Sequence, residues 1–150
     1  MLNWLKKLFC KKAEEPPQPQ QRRPGPPKLA VIDDDGFIIS YVKDMFRSDY
    51  EVDTFRRLPA DPSILHDYDV LIVDNQGIGN GHFDDGEDFL CEYNRPEHQL
   101  VVHFSGLHPS RKFAEILTSK GMFWKVKGRD PHELVDLVKS KMEKRNAATS

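Results

Sequence analysis

The chain has 150 residues, 38% hydrophobic and 31% charged, with a formal net charge of −2. That length suits one domain with a real core, and two cysteines in distant regions, Cys10 and Cys91, do not indicate a disulfide framework and fit a reducing compartment. Residues 1–28 carry seven Lys or Arg against Glu14 and Glu15, a net of +5, and the remainder is −7, so the body lacks the basic excess that duplex nucleic acid requires.

Residues 1–12, MLNWLKKLFCKK, are amphipathic. At about 100° per residue, Met1, Leu2, Trp4, Leu5, Leu8 and Phe9 fall within an arc of about 160°. Such a segment suits an anionic membrane surface or a partner protein. Lys6 and Lys7 interrupt the apolar core that a signal peptide needs, and no run of about 20 apolar residues offers a membrane span. Residues 13–27 hold six of the eleven prolines, together with Gln and Arg, and read as an extended linker. The folded body spans 28–145.

Within the body, strand and helix signals alternate, which predicts βαβ units around a parallel sheet. The first strand is 28–32. A helix over about 36–48 follows, with Ile38, Val42 and Met45 near one face. The second strand is about 51–55, and Asp61-Pro62 starts a short helix, since proline suits a first helical position. The third strand, 69–74, is almost wholly apolar, as a strand buried on both faces should be. A Gly-rich acidic loop covers about 75–86. Then come a helix at about 86–94, a strand at 99–104, a helix at about 109–119 and a strand at about 122–126. The last helix starts at the Asp130-Pro131 cap signal and runs to about 144, with Leu134, Val138 and Met142 at helical spacing.

Asp33 and Asp34, Asp74, Ser105 and Lys127 each lie at or just past the end of one of these apolar runs. In a parallel sheet those ends share one edge, where ligands bind in open α/β folds. Three carboxylates gathered there repel unless a hard cation such as Mg²⁺ lies among them. A hydroxyl and an ammonium beside them suit phosphoryl oxygens. Taken alone, Asp33-Asp34-Asp35 reads better as a solvated turn and helix cap; Asp74, Ser105 and Lys127 turn the balance towards a site. Lys125 is a rival for Lys127. His82, Asp84, Asp85 and Asp88 read as a flexible polar loop rather than a second metal site. His103 reads as a satisfied buried histidine. Trp124 stands open between core packing and a switch.

This order of residues resembles the receiver domain of two-component response regulators, over about 28–145. The resemblance implies a flavodoxin-like fold, a doubly wound five-stranded parallel sheet of order 2-1-3-4-5. It also implies that Asp74 is the phosphoacceptor and that Mg²⁺ sits on Asp33, Asp34 and Asp74, with the Gln76 backbone carbonyl completing its shell. Ser105 matches the switch hydroxyl, followed by the small Gly106. Lys127 matches the family's lysine, in a register set by Asp130-Pro131-His132-Glu133-Leu134, and Trp124 matches the switch aromatic. The chain departs from the pattern at Ile78 and Gly128, where prolines are usual, and at Gly86, which comes about four residues late.

The implied function is a phosphorelay receiver that takes a phosphoryl group from a histidine kinase or phosphotransfer protein and signals to a downstream protein by contact. It would catalyse nothing beyond its own phosphorylation and dephosphorylation. With no output domain legible after the last helix, the expectation is a stand-alone receiver. Its expected place is cytoplasmic, with peripheral membrane contact through 1–12, and nucleic acid is not an expected partner. One alternative is a degenerate receiver that docks without phosphorylation. Another is a phosphohydrolase of the haloacid-dehalogenase type, which Val31-Ile32-Asp33-Asp34-Asp35-Gly36 also resembles, with Asp33 as nucleophile and Asp35 as acid/base. That reading leaves Asp74 unexplained and lacks a later acidic strand.

Overall fold

Each strand call coincides with a strand in the structure. The computed structural model describes residues 24–128 and 130–149; the amphipathic segment 1–12 and linker residues 13–23 lie outside them. The elements are β1 (Lys28–Ile32), α1 (Gly36–Phe46), β2 (Glu51–Phe55), a 3-10 helix (Pro62–Asp67), β3 (Val70–Val73), α2 (Gly86–Glu92), β4 (Leu100–Ser105), α3 (Arg111–Ser119), β5 (Phe123–Val126) and α4 (His132–Thr149). All strand pairings are parallel, and the order is β2-β1-β3-β4-β5.

The apolar runs of β1, β3 and β4 are explained by burial on both faces. Leu29, Val31, Val70, Ile72, Leu100 and Val102 face α1 and α4, where they meet Val42, Phe46, Leu134 and Val138. Ala30, Ile32, Leu71, Val73 and Val101 face the other way, onto Leu65, Phe89, Leu90, Phe113 and Leu117 of the 3-10 helix, α2 and α3. Edge strand β2 has no buried residue, and its sequence is correspondingly polar.

Side chains ahead of the helices supply the capping that free N–H groups need. Asp35 caps α1 by accepting from Phe37 N, 2.9 Å. Asp61 caps the 3-10 helix, with Pro62 at its first position. Asp85 caps α2 by accepting from Asp88 N, 2.8 Å, and Ser110 caps α3. Asp130 accepts from His132 N at the start of α4, 3.0 Å.

Three expectations need correction. The fully buried face of α1 is Ile39, Val42 and Phe46, with Ile38 and Met45 only half-buried beside it. Helix α4 runs on to Thr149, where polar residues carry no stop signal. The 75–86 loop is anchored rather than loose. Leu58 N donates to Ile78 O, Asn80 Nδ2 donates to Pro59 O, and Asn80 Oδ1 accepts from His82 N and Phe83 N. Ile78 and Phe83 are buried beneath it. No described helix is long and apolar enough to cross a membrane.

Candidate functional site

The C-terminal edge of the sheet is built by ladder bonds that run one residue past each strand. Asp33 N donates to Phe55 O, 3.0 Å; Asp74 N to Ile32 O, 2.9 Å; and Lys127 N to Ser105 O, 2.8 Å. The backbone therefore places Asp33, Asp74, Ser105 and Lys127 before any side chain contributes. Asp33 is 2% exposed, and Asp74 and Ser105 are 8% exposed. A cleft of about 290 Å³ opens above them, lined by Asp33, Asp34, Asp74, Gln76, Ser105 and Lys127 among others.

Asp33, Asp34 and Asp74 each offer an oxygen within 4.8 Å of the others, and among the described residues no other group of acids, histidines or cysteines is placed to hold a metal. Lys127 Nζ reaches Asp33 Oδ2 at 2.7 Å and Asp74 Oδ1 at 3.0 Å, and lies 5.6 Å from the centre of the Phe104 ring. One ammonium thus pairs with two of the three carboxylates. Burial pushes the Asp33 carboxyl above its usual range, helped by the nearby Asp74 charge, and the bond from Lys127 does not reverse it. Burial alone would lower Lys127, but its bonds to Asp33 and Asp74 carry it upwards. The cluster thus keeps a net negative charge in a half-dry cleft, which is what a hard divalent cation with oxygen ligands fits.

Two glycines allow the close approaches. Gly77 has φ +81°, and a Cβ there would occupy the Asp34 carboxylate. A Cβ on Gly86 would strike the Asp74 carbonyl oxygen, while Gly86 N donates to Asn75 O at 2.8 Å. The start of α2 is thereby pressed against the backbone of Asp74.

Contacts place the rival side chains. Lys125 pairs with Glu133 at 2.6 Å and leaves the cleft to Lys127. Asp84 N bonds to Asp88 Oδ2 and Asp88 N to Asp85 Oδ1, so these acids order the start of α2. Asp35 caps α1 with its side chain and also borders the cleft. Gln76 is exposed on the cleft wall. Trp124 is half-buried against the cluster that contains Phe113, in register with His103. His103 is buried as expected, yet its Nε2 has no hydrogen-bond partner. Its ring meets Phe113 edge-on at 5.1 Å, and burial pulls its pKa down to about 4.

Arg56 was missed by the sequence reading. It follows β2 directly, and its Nη1 donates to Asp34 O at 2.9 Å. The signal was available: an arginine just past a strand end belongs to the same edge as the acids.

No family model matches this sequence, and no curated protein does either. Solved structures do match. A CheY-like response regulator receiver domain protein from Methanospirillum hungatei is 15% identical with a TM-score of 0.68, over 83% of this chain and 99% of that one. The signal receiver domain of an HD domain-containing protein from Pseudomonas fluorescens is 14% identical with a TM-score of 0.65, over 86% and 96%. The BeF3-activated receiver domain of RstA from Klebsiella pneumoniae is 17% identical with a TM-score of 0.60, over 77% and 97%. The chain has the flavodoxin-like fold of these receiver domains.

Proposed function

We propose that this protein is a phosphorelay receiver in which Asp74 accepts a phosphoryl group from a phosphohistidine of a kinase or phosphotransfer protein. The observation that carries the reading is the meeting of Asp33, Asp34 and Asp74 oxygens within 4.8 Å, with Lys127 bonded to two of them. The fold shared with receiver domains supports it.

Asp33, Asp34 and Asp74 would hold Mg²⁺, with the Gln76 carbonyl as a further ligand. When bound, the ion neutralises charge on the phosphoryl oxygens. An Asp74 carboxylate oxygen attacks phosphorus, the P–N bond to the donor imidazole breaks, and that nitrogen keeps the electron pair. Lys127 moves one of its contacts from Asp74 to a phosphoryl oxygen. Catalysis here is positioning and electrostatics. Ser105, on the cleft wall, donates to the aspartyl phosphate, and Trp124 turns inward beside it. Leu107, 75% exposed on the rim of the cleft, gives a partner an apolar contact next to the reacting atoms.

The test is incubation with Mg²⁺ and a small acyl-phosphate donor, followed by intact mass and hydroxylamine lability. One labile phosphoryl group on the wild type and none on Asp74→Asn is the expected result. A label that persists in Asp74→Asn moves the nucleophile elsewhere, Asp33 first. No label on either protein, with the cognate kinase present, favours a docking module that works without phosphorylation.

A further inference from the structure

Asp33 and Asp34 occupy the same turn but are held differently. Asp33 is fixed by its backbone bond to Phe55 O, by the bond from Asp35 N to its Oδ1 and by Lys127. Asp34 is exposed. Its carbonyl accepts from Arg56 Nη1 at 2.9 Å, a contact between residues 22 apart in sequence. The guanidinium lies directly over Gly36. An ideal Cβ on that glycine would stand 2.5 Å from Arg56 Nη2 and 3.1 Å from its Cζ. The glycine needs no special backbone angle, since its φ is not positive. Its missing side chain leaves room for the arginine.

From this geometry we infer that Arg56 is a positioning residue for Asp34. It clamps the turn between β1 and α1 so that the Asp34 carboxylate faces Asp33 and Asp74, and it thereby sets the affinity of the site for its divalent cation. The inference rests on the metal-binding reading above. It assigns Arg56 no contact with the metal or the phosphoryl group.

Charge and clamping make opposite predictions. A guanidinium near a cation site repels the cation, so if Arg56 acted by charge alone, removing it would tighten Mg²⁺ binding. If it clamps Asp34, removing it weakens binding. Loss of a partner that orients a ligand lowers metal affinity by roughly tenfold.

The experiment is calorimetric titration of the full chain with MgCl₂, alongside thermal unfolding without metal. Arg56→Ala is expected to weaken Mg²⁺ binding by roughly tenfold with the metal-free midpoint little changed, because the side chain is exposed. Gly36→Ala displaces the guanidinium and should weaken binding similarly. The double variant should be no worse than either single one, since both break a single contact. Unchanged or tighter binding in Arg56→Ala overturns the inference. So do fully multiplicative effects in the double variant, and so does a fall in metal-free stability with the affinity intact. No Mg²⁺ binding by the wild type, or binding that survives Asp34→Asn, instead overturns the reading of the site itself and takes this inference with it.

Discussion

At the N-terminal edge of the sheet, long polar side chains are tied to backbone carbonyls; at the C-terminal edge, carboxylates face one another across an open cleft. Gln99, fully buried just before β4, donates to Leu65 O at 2.6 Å and Tyr68 O at 2.9 Å and accepts from the Tyr93 hydroxyl at 2.7 Å. Arg95 Nε donates to Lys120 O, Lys120 Nζ donates to Leu90 O and Cys91 O, and Arg145 donates to His98 O. A hollow of about 350 Å³ lies there, comparable in size with the cleft above the acids. Its cations close off helix ends, so its size carries no functional weight. The opposite edge holds more acid than base, and a buried His103 Nε2 without a partner lies just below it. Satisfied polar groups stabilise, whereas unsatisfied ones mark where a ligand or a second conformation completes the structure.

The contrast can be broken in graded ways. The largest stability effect is expected from acid. His103 has an ordinary pKa of 6.5 and is held at about 4 in the folded protein. Below pH 6.5 the unfolded chain takes up a proton that the folded chain refuses. Stability therefore falls as pH drops from 6.5 towards 4, by about 3 kcal/mol for this group, and the loss is complete below that window. Urea unfolding of the wild type and His103→Met across this range should differ by that slope. Parallel curves would show that His103 does not sense the solvent proton.

Next in size is the satisfied edge. Gln99→Leu removes the amide donor to the Leu65 and Tyr68 carbonyls and the acceptor of the Tyr93 hydroxyl, and is expected to cost about 2–3 kcal/mol in urea unfolding. Mg²⁺ affinity should be unchanged in calorimetry, because the substitution lies at the other end of β4. A matching loss of metal binding would mean that the two edges are coupled.

The smallest effect has the opposite sign. Asp33 is a carboxyl whose folded pKa is raised, so the folded state holds its proton more tightly than the unfolded chain does. Its ionised form therefore costs stability at neutral pH, and the cost is relieved as pH falls through the raised value. Asp33→Asn should raise the metal-free midpoint in thermal unfolding at pH 7, and should abolish the stabilisation that Mg²⁺ is expected to give the wild type. A destabilised Asp33→Asn protein would mean that the bond from Lys127 outweighs the repulsion among the acids.

The amino-acid sequence by itself determined the strands, their parallel arrangement and the acids at their ends. Those features follow from local rules. A strand buried on both faces must be apolar throughout, a helix start needs a capping oxygen, and the residue after a parallel strand lands on a common edge. Tertiary structure alone decided what depended on a partner distant in the chain. It set Lys127 on Asp33, 94 residues away, turned the buried face of α1 to Ile39 and Phe46, tied the long loop to Pro59, and laid Arg56 over Gly36. Sequence spacing records which side chains can share a face. Which of them meets a partner 20 to 90 residues away is settled only when the sheet is assembled.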